Sequence, residues 1–433
     1  MYRIGDVVEN IKTNELSYEG YGVVRLENHT IFVENLLPDE IADIVIKKTN
    51  SKISYARIIK LIKKSKKRIK DINDPLILSG IAPLAHLPYN EQLKFKENVV
   101  KNLVNRNLNF LTIEKIKESP DTWNYRNKIK LICQTVNNKI TCANYEKQTN
   151  FLVEKTSLDL AQKNIIDFLN IFLEKINNFA SLKHNLEEII IRNSFEENNL
   201  ILVLKTKNEI DKKHLSLFLN NFQNLVQVYN TYSIKNKLRV KQIIYKKDFV
   251  DKINDLNFQI NWNSFFQINN KQTSHLYKSL IDQMNFKTSD LVIDAFCGIG
   301  TIGLSVAKKV KKVIGFEIVP EAVVNAKNNA KINNIQNAFF IAGNVNKTSE
   351  QLKEEIDKLI VDPPREGIDK KFMSTILKLK PKEIGYISCN PHTFVRDAKI
   401  LIDNEYELNY LKPFDMFPQT YHIELSAHFK RKK

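Results

Sequence analysis

Leu291-Val-Ile-Asp-Ala-Phe-Cys-Gly-Ile-Gly-Thr-Ile-Gly303 is the stretch that decides the fold. It opens as an apolar run of strand length, passes into a turn carrying Gly298 and Gly300, and continues as a helix containing Gly303. Glycines at those points permit a tight turn and let the backbone approach a bound nucleoside closely. Working outward, further strands are expected at Val313–Phe316, Ala338–Ile341, Lys358–Val361 and Glu383–Ile387, with helices between them. Regular alternation of this kind implies a doubly wound, Rossmann-like sheet after Asp290.

A glycine loop alone does not separate dinucleotide enzymes from others. Three neighbours sharpen it. Asp294 precedes the glycines at the strand end, and Glu317, nineteen residues after Gly298, ends the next strand where a carboxylate can accept both ribose hydroxyls. A later strand runs into Asp362-Pro-Pro-Arg-Glu-Gly367, whose paired prolines stiffen a loop at the carboxyl edge of the sheet, where ligands bind. Together these favour S-adenosylmethionine over NAD. Cys297, within the turn, reads as a small packing residue.

Downstream, Ile387-Ser-Cys-Asn-Pro391 pairs a candidate nucleophile, Cys389, with a candidate base, Glu424, in Phe417-Pro-Gln-Thr-Tyr-His-Ile-Glu424. The pairing suits a pyrimidine ring, whose carbon 5 becomes enolate-like only after a nucleophile adds to carbon 6. Asn390 is a good N-cap and Pro391 a good first helical residue, so Cys389 is expected just outside a helix over 391–401, where the helix dipole favours a thiolate. Glu424 sits in an alternating segment that reads as an edge or late strand. His392 and His422 are the competing bases.

The chain has 433 residues and a formal net charge of +17. That length implies two or three domains, and that charge draws a protein toward a polyanion such as RNA. The N-terminus lacks the apolar core of a signal peptide and no apolar run reaches membrane-spanning length, so a cytoplasmic protein without membrane association is expected. The four cysteines, Cys133, Cys142, Cys297 and Cys389, include no CxxC pair; free thiols and no metal are expected.

Residues 7–62 read as short strands of a small β-barrel with Val23, Ile31, Val33, Ile44, Ile46, Ile58 and Ile62 as its apolar positions, and the lysine-rich stretch from Lys63 to Asp74 reads as a linker. From about 75 to 258 the pattern is α+β, with helices over Asn90–Asn107, Leu158–Lys175 and Lys212–Phe222 and strands over Lys128–Val136, Glu188–Asn193 and Leu200–Lys205. The expected organisation is a barrel over 1–65, a central domain over 75–258 whose helix near 90–107 could pack on the catalytic domain, and a catalytic domain over 259–433.

With Ser264-Phe-Phe-Gln-Ile-Asn269, Asp294-Ala-Phe-Cys-Gly-Ile-Gly300, Asp362-Pro-Pro-Arg365, Ser388-Cys-Asn-Pro391 and Asp415-Met-Phe-Pro-Gln-Thr-Tyr-His-Ile-Glu424 in view, the chain resembles class I RNA uracil-5-methyltransferases of the bacterial 23S rRNA type, collinearly over nearly its whole length. The resemblance implies Cys389 as nucleophile and Glu424 as proton acceptor. It implies Gln267, Phe296, Glu317, Asn344 and Asp362 as contacts of S-adenosylmethionine, and an N-terminal barrel of the OB-like TRAM type that binds RNA. Tyr125-Arg-Asn-Lys128 would belong to the central domain. Many relatives hold an iron-sulfur cluster, but here the expected cysteine positions read Asn73, Ser79 and Ala82, so no cluster is expected. Asn344 stands where an acid is common, and Gln419 where a histidine is usual. The implied substrate is a uridine of 23S rRNA, with the T-loop uridine of tRNA as the alternative; a non-catalytic RNA-binding or ribosome-assembly factor with a vestigial cofactor domain is the reading from another class. No obligate protein partner is expected. Phe265, Phe266 and Phe417 are candidates to stack on an extruded base.

Overall fold

The computed structural model describes the chain apart from residues 1, 27, 111, 148–151, 154–157, 344, 346–354 and 433 and the side chain of His214. It divides into two compact units, one of Met1–Val99, Asn144–Ser157 and Phe417–His422, the other of Val100–Ala143, Leu158–Met416 and Ile423–Lys433. Among the described residues no helix is long and apolar enough to cross a membrane.

In the first unit, β1 (Val7–Lys12), β2 (Glu15–Leu16), β3 (Gly22–Leu26), β4 (His29–Glu34), β5 (Ile41–Thr49) and β6 (Ile53–Lys63) form one sheet in the order β1-β5-β6-β4-β3-β2. All neighbours run antiparallel except β4 and β6. Period-two alternation turns Ile31, Val33, Ile44, Ile46, Ala56 and Ile58 to one side, where they form the buried cluster. Ile62 departs from the expected core and is exposed. The β5–β6 ladder slips between the pairs Ile44–Ile58 and Asp43–Lys60, so Leu61 takes the inward place and Ile62 the outward one.

The stretch expected as a linker, Lys63–Asp74, is fastened through Arg68. Arg68 is buried and reaches buried Glu40 through Nε (2.6 Å) and Nη2 (2.8 Å), while Leu37 and Ser65 donate backbone N–H groups to the same carboxylate. Nearby His86 is fully buried, and neither ring nitrogen has a partner among the described residues; burial, then the charge of Arg68, pushes it down to about 3. The unit also holds α1 (Pro75–Leu78) and the start of α2 (Tyr89–Leu108).

The second unit contains two large sheets. Strands β7 (Lys128–Val136), β8 (Lys139–Tyr145), β10 (Leu186–Asn193), β11 (Leu200–Thr206), β12 (Leu225–Ile234) and β13 (Lys237–Tyr245) lie in the order β13-β12-β11-β10-β7-β8, with β9 (Leu152–Val153) continuing from the end of β8 in the first unit. Ile165, Phe168, Leu169, Phe172 and Ile176 of α3 (Lys163–Ile176) and Leu215 and Leu219 of α4 (Lys212–Leu219) cover its inner face. Their i, i+3, i+4 and i+7 spacing is what a helix needs to bury one stripe. The helix expected from Leu158 is interrupted: Leu158–Leu160 form a 3-10 turn, Gln162 is extended, and its N–H bonds Arg126 O. Two thiols expected to be free are joined. Cys133 and Cys142 are register partners across the β7–β8 hairpin, with Cα atoms 4.2 Å apart, a pairing that the turn at Asn137-Asn138 sets up and that linear spacing does not reveal.

The β14 (Val250–Ile253) and β15 (Leu256–Gln259) hairpin and α5 (Asn270–Met284) lead to the last sheet. It comprises β16 (Leu291–Ala295), β17 (Lys312–Glu317), β18 (Ala338–Ala342), β19 (Lys358–Val361), β20 (Glu383–Ser388), β21 (Tyr406–Phe414) and β22 (Glu424–Arg431), in the order β18-β17-β16-β19-β20-β22-β21. The first five are parallel, and β22 lies antiparallel between β20 and β21. Helices α6 (Thr301–Ala307), α7 (Pro320–Ile332), α8 (Lys370–Leu379) and α9 (Pro391–Asp403) connect them. β22 is therefore interior, and its first six residues are buried on both faces.

Candidate active site

Strand order reverses at β16, between β17 and β19, and the carboxyl ends of these strands form the crevice where open α/β sheets bind ligands. After β16 the chain turns through Phe296 (φ +64°), Gly298 (φ +54°) and Gly300 (φ +86°). A non-glycine residue in this region is uncommon and is held by its surroundings; the Phe296 ring packs edge-on against Phe372, 5.4 Å between centroids. At Gly303 a Cβ would lie 2.8 Å from Asp294 Oδ2, so only glycine lets α6 pack this closely on β16. At Gly298 a Cβ would meet nothing within 4 Å, which leaves the loop backbone open to a ligand.

Carboxylates surround this loop. Glu317 accepts from Gly298 N (3.1 Å) and Val319 N (2.9 Å). Asp294 is buried; Oδ2 accepts from Gly303 N at 2.8 Å, while Oδ1 has no partner among the described residues. Burial pushes Asp294 up to about 7 against the Gly303 hydrogen bond, with Asp362 and Glu317 adding to the rise. Asp362, one residue beyond β19, is pushed up to about 7 by burial of its carboxyl. Open glycine backbone, a strand-end Glu317 and the unpaired buried Asp294 Oδ1 fit a polar, positively charged nucleoside cofactor. Cys297 is buried, and burial pushes its thiol up, in keeping with a packing role.

Cys389 follows β20. The β20–β22 ladder pairs Ser388 with Leu425, so one further step sets Cys389 opposite Glu424. Asn390 caps α9 by accepting from His392 N (3.1 Å), and Pro391 is its first residue, as the sequence implies. Asn390 Nδ2 and Thr393 Oγ1 both donate to Arg365 O, and Arg396 Nη2 donates to Glu366 O, which ties the Asp362–Gly367 loop to the start of α9. Glu424 is buried and receives no hydrogen bond among the described residues; burial, then Asp362, pushes its carboxyl well above the usual carboxylate range, against Arg365.

The expected low-pKa thiol is not what the resting site produces. Burial pushes Cys389 up to about 12, Glu424 and Asp362 push in the same direction, and Arg365 opposes them. A helix dipole is a modest effect, and here burial and two carboxylates outweigh it.

Gln267 is buried on the segment entering α5, its carbonyl accepting from Asn127 Nδ2 at 3.1 Å. Asn344 lies outside the described residues. His392 is exposed, whereas His422 and Gln419 belong to the first unit, where Gln419 and Gln92 exchange side-chain and backbone hydrogen bonds. Phe265 is 75% exposed; Phe266 is buried against Phe258, a core role, and Phe417 is half-buried. Sequence reasoning missed Tyr277, buried in α5 with its hydroxyl 3.1 Å from Thr301 Oγ1 and pushed up by burial and by Asp362, Asp294 and Glu424. In the sequence it is one more apolar position of α5, beside Leu276 and Leu280. Among the described residues no group of three or more His, Cys, Asp or Glu could hold a metal ion.

Known proteins resemble this chain over nearly its whole length. An RNA methyltransferase of Enterococcus faecalis, itself named uncharacterized, is 32% identical across 97% of this chain and 96% of that protein. One from Lactobacillus johnsonii, named in the same way, is 34% identical across 98% of each. Among solved structures, the Pyrococcus abyssi tRNA (uracil-54, C5)-methyltransferase in complex with S-adenosyl-L-homocysteine superimposes with a TM-score of 0.73 at 24% identity, over 98% of this chain and 100% of that one; it shares the fold. A family model described as tRNA (uracil-5-)-methyltransferase matches residues 88–432, and the chain belongs to that family of RNA methyltransferases.

Proposed function

We propose that the protein methylates carbon 5 of a uridine in a structured RNA, with Cys389 as nucleophile and Glu424 as base. The observation that carries this reading is the register that sets a cysteine opposite an unpaired, buried carboxylate in the sheet whose strand β16, two strands from β20, feeds the glycine loop. S-adenosylmethionine, when bound, supplies a methyl group on a sulfonium. Gln267, Phe296, Glu317 and Asp362 would hold it, with Asn344 as a further contact from outside the described residues; Glu317 would exchange its bond to Gly298 N for ribose hydroxyls.

The target uridine is extruded into the crevice, where exposed Phe265 can stack on a base. Cys389 Sγ gives its proton to solvent and forms a bond to carbon 6; the C5–C6 pair moves to carbon 5, which would take the methyl group while the broken S–CH3 pair stays on sulfur as a neutral thioether. Glu424, whose affinity for a proton is raised by burial, then takes the carbon 5 proton; the C–H electron pair restores the ring double bond and expels Sγ. Arg365, the cation that favours both ionised forms, sits on the loop bonded to α9.

For the RNA, 23S rRNA is the first reading, from the resemblance of the motifs, with the N-terminal sheet acting as a TRAM-type RNA-binding module. A second reading, a tRNA uridine, is favoured by the Pyrococcus abyssi enzyme, which acts on tRNA and aligns over all but a few per cent of this chain, the N-terminal sheet with it. The test is methyl transfer from labelled S-adenosylmethionine to unmodified 23S rRNA and, separately, unmodified tRNA, with the labelled nucleotide mapped. 5-Methyluridine in one RNA assigns the substrate; label on another base or at another atom overturns the reaction.

A further inference from the structure

Lys128 and Arg192 are register partners on β7 and β10, so their side chains leave the same face of the central sheet side by side. Arg192 is 3% exposed. Its Nη2 donates to Ser264 O at 2.9 Å, but Nε and Nη1 are buried without a partner among the described residues. A buried guanidinium needs its donors satisfied and its charge balanced. Asp251, the carboxylate whose charge acts on Arg192, accepts instead from Asn270 Nδ2 (2.9 Å), Lys252 N (2.8 Å) and Phe195 N (3.1 Å). Lys130, next along the same face, is committed to Glu188 at 2.7 Å. Lys128 is half-buried and has no ion-pair partner among the described residues; burial, then Arg192 and Lys130, pushes its ammonium down to about 8. Neither of these adjacent cations has an ion pair among the described residues, and one of them reaches solvent, so together they form half of a salt bridge.

Their position says what completes it. Arg192 holds Ser264 O, and Asn127, the residue before Lys128, donates to Gln267 O and pairs with Asn270, so the two cations flank the Ser264–Asn270 segment that carries exposed Phe265 and leads into α5. We propose that Lys128, backed by Arg192, receives a backbone phosphate of the substrate RNA beside the extruded nucleotide. Lys128 makes the contact, and Arg192 is a positioning residue that fixes Ser264 and keeps the local potential positive. This rests on the reading of the chain as an RNA methyltransferase, and the counterion it needs is a phosphodiester oxygen, which a free phosphate ion could imitate.

The test measures binding of unmodified 23S rRNA fragments and unmodified tRNA by fluorescence anisotropy over a range of salt, beside calorimetric titration with S-adenosylmethionine and with inorganic phosphate. Lys128→Ala should weaken binding of the substrate RNA roughly tenfold and reduce the salt slope by about one, with cofactor affinity unchanged. Lys128→Arg should restore most of both. Arg192→Lys should raise the KM for RNA more than it lowers kcat. Lys278→Ala, on an exposed helix face, is the control. Wild-type affinity and slope in Lys128→Ala would overturn the proposal, as would a Lys128-dependent phosphate titration with no change toward RNA. The binding and titration readouts stand even if the wild-type protein transfers no methyl group, a result that would count against the proposed reaction instead.

Discussion

Glu40 and Glu424 are both buried carboxylates, but they are treated in opposite ways. Glu40 receives Arg68 through two nitrogens and two backbone N–H groups besides, so its charge is balanced and its lone pairs are used. Glu424 receives no hydrogen bond among the described residues, stands opposite Cys389, and is pushed upward by burial and by Asp362. The first arrangement stabilises one conformation. The second leaves a buried carboxyl without a partner and with its proton affinity raised, which a folded chain retains where protons must move.

Substitutions can break the contrast at either end. The largest effect is expected from Cys389→Ala, which should lower methyl transfer on the order of a thousandfold or more while leaving the thermal midpoint unchanged, since the thiol makes no structural bond; rates and melting curves of the same preparation decide this. Glu424→Gln should lower turnover by roughly 10²–10⁴, and substituting an isosteric amide for an unpaired carboxyl should not destabilise the fold. On the other side, Arg68→Ala should cost about 3–5 kcal/mol in chemical denaturation by stranding Glu40, without direct loss of chemistry, and Arg68→Met with Glu40→Leu should recover part of it.

His86 sharpens the comparison through pH. Its pKa in the folded chain lies at about 3, below the ordinary histidine value near 6.5. As pH falls from about 6.5 toward 3 the unfolded chain binds a proton that the folded chain refuses, so stability is full above that window and is lost through it, by a few kcal/mol at most. His86→Phe should flatten the slope, measured by denaturant midpoints across that range. The smallest effect concerns thiol reactivity. Because Arg365 opposes the rise in the Cys389 pKa, Arg365→Ala should slow its alkylation by iodoacetamide at pH 8 a few-fold, and Asp362→Asn should speed it.

Much of this contrast was legible in the chain, though unevenly. Strands Lys128–Val136, Leu291–Ala295 and Lys358–Val361 fall where apolar patterning puts them, and Asn390-Pro391 starts α9 as capping rules require. Local periodicity and turn chemistry suffice for such elements. What remained hidden depends on register or on long-range packing. The slip that turns Ile62 outward, the pairing of Cys133 with Cys142 and the meeting of Lys128 with Arg192 are set by which residues stand opposite each other, a fact no single strand contains. Arg68 reads as one charge in a lysine-rich run because its partner, Glu40, is 28 residues away. The site shows the same split: Cys389 and Glu424 stand out by motif, whereas the upward shift of the thiol comes from burial and from Asp362, which only the folded chain brings near.

The most direct test of the Cys389–Glu424 assignment mixes the Glu424→Gln protein with S-adenosylmethionine and the RNA that the wild-type protein methylates, followed by denaturing electrophoresis and mass analysis. The account predicts a protein–RNA adduct that survives denaturation, carries the methyl group, maps to Cys389 and disappears when Cys389→Ala is added. An adduct on another residue, or full methyl transfer by the Cys389→Ala protein, would contradict it.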